Sequence, residues 1–410
     1  MKKKKWLQKE IHPAAIMTFA VFTAALLLAA NLWQWKPGGY IPYEGYESRL
    51  YDQLVHMGFT AAAAVVAGVG AYLLPVRLRR ASGLILFGFC AVILIISVFF
   101  DRSYTLPRYN YVFGLSLSIP MWYQFCVFPN AAFCGAFIKK DKKKTAAAWA
   151  VFLAAVLALG LPVKTVSALA ALILCVLTLV CFLLKETDAH VPLWLPPLCA
   201  ALLIGAALVM NGGPVYLAEK LELIFNRGTN DPVGFGFLRV QADRLIEALR
   251  LFGSEALTIE ANGVEAPLDS FLVYSSNTYL PLGIMSQFGY AGGLVYYLLQ
   301  CAAALCLWFA SKKAAVPEAK YLCLAVGALF IGQVLLNLLS VFWMSFYCTP
   351  PFVGQGFNLI PTVVVYFGAL GAAFSKQTEK ERAASLFGGF GADARQDDDA
   401  TFAPEDEADE

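Results

Sequence analysis

Charge is scarce in this 410-residue chain: Asp, Glu, Lys and Arg make up 15% of it, while 59% of its residues are hydrophobic. A soluble domain carries about 25% charged residues, so an ordinary water-solvated globule is excluded. Histidine is scarcer still, and His12, His56 and His190 stand far apart in the sequence. They make no catalytic or metal-binding set. No Cys-x-x-Cys or mixed Cys/His ligand spacing occurs, and of the ten cysteines all but Cys348 lie inside apolar runs. These thiols read as small apolar packing residues, which leaves neither a zinc site nor a disulfide framework. No cleavable leader is expected either, because Lys2 to Lys5 precede an apolar run that is long enough to span and lacks a clear small-residue cleavage site. That run is expected to stay as an anchor. No internal repeat supports a repeat-built transporter.

What is present is apolar sequence in long pieces. The mean hydropathy is +0.63, and a bilayer core of about 30 Å takes roughly 20 apolar residues per helical crossing. Apolar runs fall at about 13–34, 54–75, 82–100, 112–138, 145–162, 165–184, 191–210, 279–310, 318–346 and 357–374. The expected fold is therefore an all-α polytopic membrane protein of about ten transmembrane helices.

The basic clusters check this count. Lys2 to Lys5 with Lys9, then Arg77, Arg79 and Arg80, then Lys139, Lys140 and Lys142 to Lys144, then Lys185, Lys312 and Lys313, and finally Lys376, Lys380 and Arg382 all fall on one side of a ten-helix plan. Cationic loops stay in the cytoplasm, so both termini are expected there. The opposite side receives one large loop, 211–278, between the seventh and eighth helices. Residues 1–375 thus form one membrane domain. From 376 onward the chain turns acidic, with Asp397 to Asp399 and Glu405 to Glu407, and is expected to be a disordered cytoplasmic tail. No nucleic-acid partner is expected.

Chemistry has few places to reside. The 211–278 loop is too long for a simple connector, and Leu238, Leu245, Ile246, Leu249, Leu251 and Phe252 form an amphipathic helical pattern suited to a membrane surface. Its cations, Lys220, Arg239 and Arg244 among them, suit a diphosphate, because guanidinium binds phosphate oxygens as a fork. The plainer reading of such charges is solvation of an outer loop. In the ninth crossing Gln333 and Asn337 stand four apart, share a helix face and must point into the bundle. Interhelical hydrogen bonding is the plainer role for them. Pro120 and Pro129 break the fourth crossing.

Several strings in the second half resemble the SEDS family of shape, elongation, division and sporulation proteins, represented by FtsW, RodA and SpoVE. Pro351-Phe352-Val353-Gly354-Gln355-Gly356-Phe357-Asn358 is similar to the family's Pro-Phe-Ile-Ser-Tyr-Gly-Gly-Ser signature and likewise leads into the final helix. Gln333 and Asn337 fall where the family has Gln and Asn. In the loop, Tyr216, Asn230-Asp231-Pro232 and Gly253 resemble the family's Tyr-Arg-x-x-Arg, Asn-Pro and Gly-Tyr-Gln order, and Gln287-Phe288-Gly289-Tyr290 resembles Glu-Leu-Gly-Phe.

The resemblance implies a multi-pass protein of the bacterial cytoplasmic (inner) membrane, active in cell division, cell shape or sporulation. It implies a peptidoglycan glycosyltransferase that polymerises lipid II or a related polyprenyl-diphosphate sugar, with a class B penicillin-binding protein or other division or elongation protein as partner. Lys220, Arg239 and Arg244 would then contact the diphosphate, while Gln333, Asn337, Pro351, Phe352, Gly354, Gln355 and Gly356 would shape the substrate cavity. No cofactor is identified; a divalent cation is left as an open alternative. One departure stands out. Counting back from Gly289, the family's catalytic Asp position falls on Thr278, and threonine is no base near neutral pH. Either another carboxylate, with Asp269 as the choice, takes the role, or the chain is a non-catalytic scaffold or regulator that binds a penicillin-binding protein. A third reading, from another class, is a polyprenyl-linked glycan flippase, polymerase or ligase.

Overall fold

The computed structural model of the chain describes residues 12–32, 46–75, 78–79, 85, 110–112, 115–117, 237–261, 264–275, 277–343, 348–354 and 359–375. Most of the crossings expected at 82–100 and 112–138, all of those at 145–162, 165–184 and 191–210, the start of the long loop and the acidic tail lie outside the described residues. Four described helical stretches are long and apolar enough to cross a membrane: Pro13–Asn31, Tyr51–Leu73, Asn277–Lys313 and Glu318–Phe342.

Helix α1 (Pro13–Asn31) starts where proline fixes the first helical φ and where the His12 ring accepts from the Ala14 N–H at 3.2 Å. Its side chains are apolar around most of the circumference. Only the stripe Ile16, Ala20, Thr23, Ala24, Leu27 and Asn31 is buried, and the helix packs against α5 (Leu280–Lys313). Helix α2 (Tyr46–Leu73) lies along α7 (Ile360–Phe374). Small residues let these two backbones meet, since a Cβ at Gly371 would overlap the Gly68 carbonyl oxygen. The ends of the pair are tied by Arg79, which donates to the carbonyls of Ala71 at 3.3 Å and Ala372 at 3.1 Å, and by the Ser375 hydroxyl, which donates to Tyr72 O at 2.7 Å. Each satisfies carbonyls that a helix C-terminus leaves open.

Helix α5 packs on α6 (Pro317–Phe342), with Pro317 again at the first helical turn. α5 runs 34 residues but is broken at Gly289, whose φ of 68° and ψ of −166° are not helical. The aromatic centre of the bundle is a triad: Phe330 stacks on Tyr366 with ring centroids 5.9 Å apart, and Phe352 meets both edge-on at 5.4 and 5.1 Å. Phe352 belongs to no helix, yet it is fully buried and takes a φ of 58°. Burying such a ring contributes about 2–3 kcal/mol, which offsets the strain of its backbone.

The all-α expectation needs correction. Among the described residues two short antiparallel hairpins are present: β1 (Asn110–Val112) with β2 (Leu115–Leu117), and β3 (Thr258–Ala261) with β4 (Val264–Pro267). The first occupies residues 112 and 115–117 of the expected fourth crossing, whose apolar run therefore begins as a strand pair. The second interrupts a segment made of α3 (Phe237–Ala248) and α4 (Leu268–Ser275). Period-2 alternation on both sides of Asn262-Gly263 is the hairpin signal in the sequence. This segment rests on the first half of α5, with Ala242, Leu245, Leu268, Leu272 and Val273 buried and Phe237 edge-on to Phe271 at 6.2 Å.

Candidate functional site

Two polar clusters stand out, one inside the bundle and one on the 237–275 segment. The inner cluster is built from amides. Asn337, fully buried on α6, donates to Thr278 O at 3.0 Å and Cys348 O at 2.6 Å, and its carbonyl accepts from the Tyr297 hydroxyl at 2.8 Å. Gln300 on α5 donates to Pro351 O at 2.7 Å and to the Tyr296 oxygen at 2.9 Å. Asn31 closes the ring at the end of α1: its amide donates to Phe352 O, and its carbonyl accepts from Gly354 N–H at 3.0 Å.

Residues 348–354 are thus held by side chains from three helices. A non-helical stretch at this depth needs such partners, because every backbone group left unpaired in an apolar surround costs several kcal/mol. Of the residues expected to shape the cavity, Pro351 is held by Gln300, Phe352 and Gly354 are held by Asn31, and Asn337 holds the neighbouring Cys348 O, while Gln355 and Gly356 lie outside the described residues. Gln333 is half-buried one turn before Asn337, and its Oε1 and that of Gln300 are buried acceptors with no hydrogen-bond partner among the described residues. Asn31, Gln300 and Tyr297 were missed from sequence. Their one signal was a polar side chain inside an apolar run.

The second cluster surrounds Asp269 in the first turn of α4. One carboxylate oxygen accepts from the Ser270 N–H at 2.7 Å and its hydroxyl at 3.3 Å; the other accepts from the Ser286 hydroxyl at 2.8 Å. Ser286 also lies 2.8 Å from Gly283 O, so its single proton is shared between two acceptors. Ser254 donates to Ser286 O at 2.9 Å. Asp269 is half-buried, which leaves a carboxylate both oriented and reachable. Thr278 is different: it is 1% exposed, and its carbonyl is the one that Asn337 holds.

The predicted cations separate as well. Arg239 is 2% exposed, and its guanidinium donates to Ser340 O at 2.9 Å, to Val341 O at 2.7 Å and, as a fork, to the Asp243 carboxylate. It caps the C-terminal end of α6 from a neighbouring helix. Arg244 donates to Gln241 Oε1, at 2.7 Å, on its own helix. Lys220 lies outside the described residues. Among the described residues, no group of three or more His, Cys, Asp or Glu side chains could hold a metal ion.

No family model matches the chain, and no curated protein matches it. Solved structures do. Rod shape determining protein RodA of Thermus thermophilus is similar with a TM-score of 0.55 and 13% identity, over 91% of this chain and 99% of that one. A mutant of the same RodA gives 0.54 and 12%, over 89% and 98%. A chain from a peptidoglycan synthase complex, described for its structural coordination of polymerization and crosslinking, gives 0.61 and 17%, over 88% and 98%. The chain has a RodA-like fold.

Proposed function

We propose that this chain is a divergent SEDS-type glycosyltransferase, a multi-pass protein of the bacterial cytoplasmic membrane that extends peptidoglycan strands from lipid II. The observation that carries the reading is the Asp269 carboxylate, held at both oxygens by serine donors yet half-buried. A general base must be fixed within hydrogen-bond reach of its proton, and a carboxylate accepting a sugar 4-hydroxyl proton fits that need. Lys220 and Arg244 bind the diphosphate in this scheme. Arg239 reaches it only by giving up its bonds to Ser340, Val341 and Asp243, so its part is to fix α3. Pro351, Phe352 and Gly354 contribute to the cavity floor in the same scheme. A class B penicillin-binding protein is the proposed partner, and the RodA-like fold supports that assignment.

The test is polymerisation of purified lipid II by the protein reconstituted with its cognate penicillin-binding protein. Asp269→Asn is expected to lower the rate at least a hundredfold, within the usual range for a general base, while the unfolding temperature in detergent stays put. Full activity in Asp269→Asn removes the base assignment.

One observation favours a second reading, a non-catalytic scaffold: the family's Asp position is the buried Thr278, with Asn337 on its carbonyl. That version expects no polymer from wild-type protein, and retained capture of the penicillin-binding protein by both wild type and Asp269→Asn.

A further inference from the structure

Leu251 and Phe252 are 66% and 76% exposed, and they do not sit on a loose loop. Residues 249–254 make a tight turn in which Arg250 N–H donates to Gly253 O at 3.0 Å, Leu249 bridges to Ser254, and Gly253 takes a φ of 78°. The same turn is locked into the break in α5. Tyr290 N–H donates to Arg250 O at 3.0 Å and Ala291 N–H to Leu251 O at 3.2 Å, so the turn's carbonyls take the first amides of the resumed helix. A Cβ at Gly289 would collide with the Leu251 carbonyl, which is why the chain can pass there only as glycine. Two large apolar side chains are therefore presented rigidly, beside the exposed Phe288.

Their height on α5 says what covers them. The far end of the helix carries Lys312, whose ammonium lies 4.7 Å from the Trp308 ring centre and 5.6 Å from that of Phe309, a pairing suited to a membrane interface. From Tyr290 to Lys312 the helix rises about 33 Å at about 1.5 Å per residue, close to the thickness of a bilayer core of about 30 Å. Between those ends the exposed side chains of α5 include Leu294, Val295, Leu298 and Leu305, a lipid-facing stripe at helical spacing. The turn thus meets the helix one membrane thickness from the Lys312 belt. The exposed Arg250–Glu255 ion pair, 2.6 Å long, flanks it.

We propose that the 250–253 turn is a lipid anchor: Leu251 and Phe252 insert into the opposite leaflet of the bilayer, with Arg250 and Glu255 at headgroup level, and so pin the 237–275 segment against the membrane surface. The anchor holds whichever functional reading is right. The full chain is reconstituted into vesicles of phosphatidylethanolamine and phosphatidylglycerol with Phe252 exchanged for p-benzoylphenylalanine, and Glu260, exposed on β3, exchanged likewise as the water-facing reference. Irradiation is expected to give phospholipid adducts at position 252 in about tenfold higher yield than at 260. Equal yields, or adducts at 252 to another protein or a second copy of this chain, overturn the anchor. Hydrogen exchange on the unaltered chain gives a reading without substitution. The amides of Leu251 and Phe252 are expected to exchange about tenfold more slowly in lipid nanodiscs than in a lipid-free amphipol; equal rates overturn the anchor too.

Discussion

The two polar clusters use neutral hydrogen-bond donors for opposite ends, amides in one and serines in the other. Inside the bundle, Asn31, Gln300 and Asn337 point at backbone carbonyls, and the residues they hold are buried. Where the 237–275 segment meets α5, Ser270 and Ser286 donate to a half-buried carboxylate, and Ser254 donates to the Ser286 carbonyl. The difference teaches where polarity in an apolar protein is structural. A donor spent on an otherwise unpaired carbonyl is removed from chemistry, whereas donors converging on a reachable carboxylate prepare it for a proton.

That contrast predicts a graded set of mutational effects. The largest is at the joint between the two regions: Gly289→Val places side-chain atoms on the Leu251 carbonyl at a φ only glycine tolerates well, and is expected to cost more than about 3 kcal/mol. Loss of folded protein on size-exclusion chromatography would show it; wild-type yield would mean that the break is not needed. Asn337→Leu comes next. It strips the partners of Thr278 O, Cys348 O and the Tyr297 hydroxyl and should lower stability by about 2–4 kcal/mol in thermal unfolding. A neutral Asn337→Leu would place the inner amides in the chemical class instead.

Smaller effects sharpen the comparison from the other side. Arg239→Lys keeps the charge but loses the fork that spans Ser340, Val341 and Asp243, and is expected to cost about 1–3 kcal/mol. Substrate affinity unchanged in the folded fraction would mark it as a strut. Asp269→Asn keeps the shape of the carboxylate and should change stability by under about 1 kcal/mol while removing turnover. Smallest of all is Arg250→Ala, which breaks an ion pair whose members are 67% and 61% exposed; solvent screening leaves it under about 0.5 kcal/mol. A large loss of stability there would mean that the turn depends on its charges.

Much of the membrane plan could be read directly. The apolar runs at 13–34, 279–310, 318–346 and 357–374 match α1, α5, α6 and α7 to within a few residues, because the length of an apolar run answers to solvent and needs no partner. The run at 54–75 misses the start of α2 at Tyr46, since Glu47, Arg49 and Asp52 break the apolar pattern without breaking the helix. Gln333 and Asn337 share a face as their spacing required, yet only Asn337 is fully buried. Arg239 read as a phosphate contact because a cation in a loop carries no mark of its partner. The carbonyls that hold it are those of Ser340 and Val341, far along the chain.

What the sequence determined by itself is the apolar plan: which stretches suit a bilayer, where helices begin at Pro13 and Pro317, and where a polar residue in an apolar run must turn inward. These follow from local composition acting against one solvent. Only the tertiary structure decided which carbonyls the buried amides hold, that Phe352 leaves its loop to complete an aromatic centre, and that Ser286 stands against Asp269. Each of those depends on parts of the chain that meet only after folding, where a hydrogen bond is fixed by distance and direction that no residue's identity encodes.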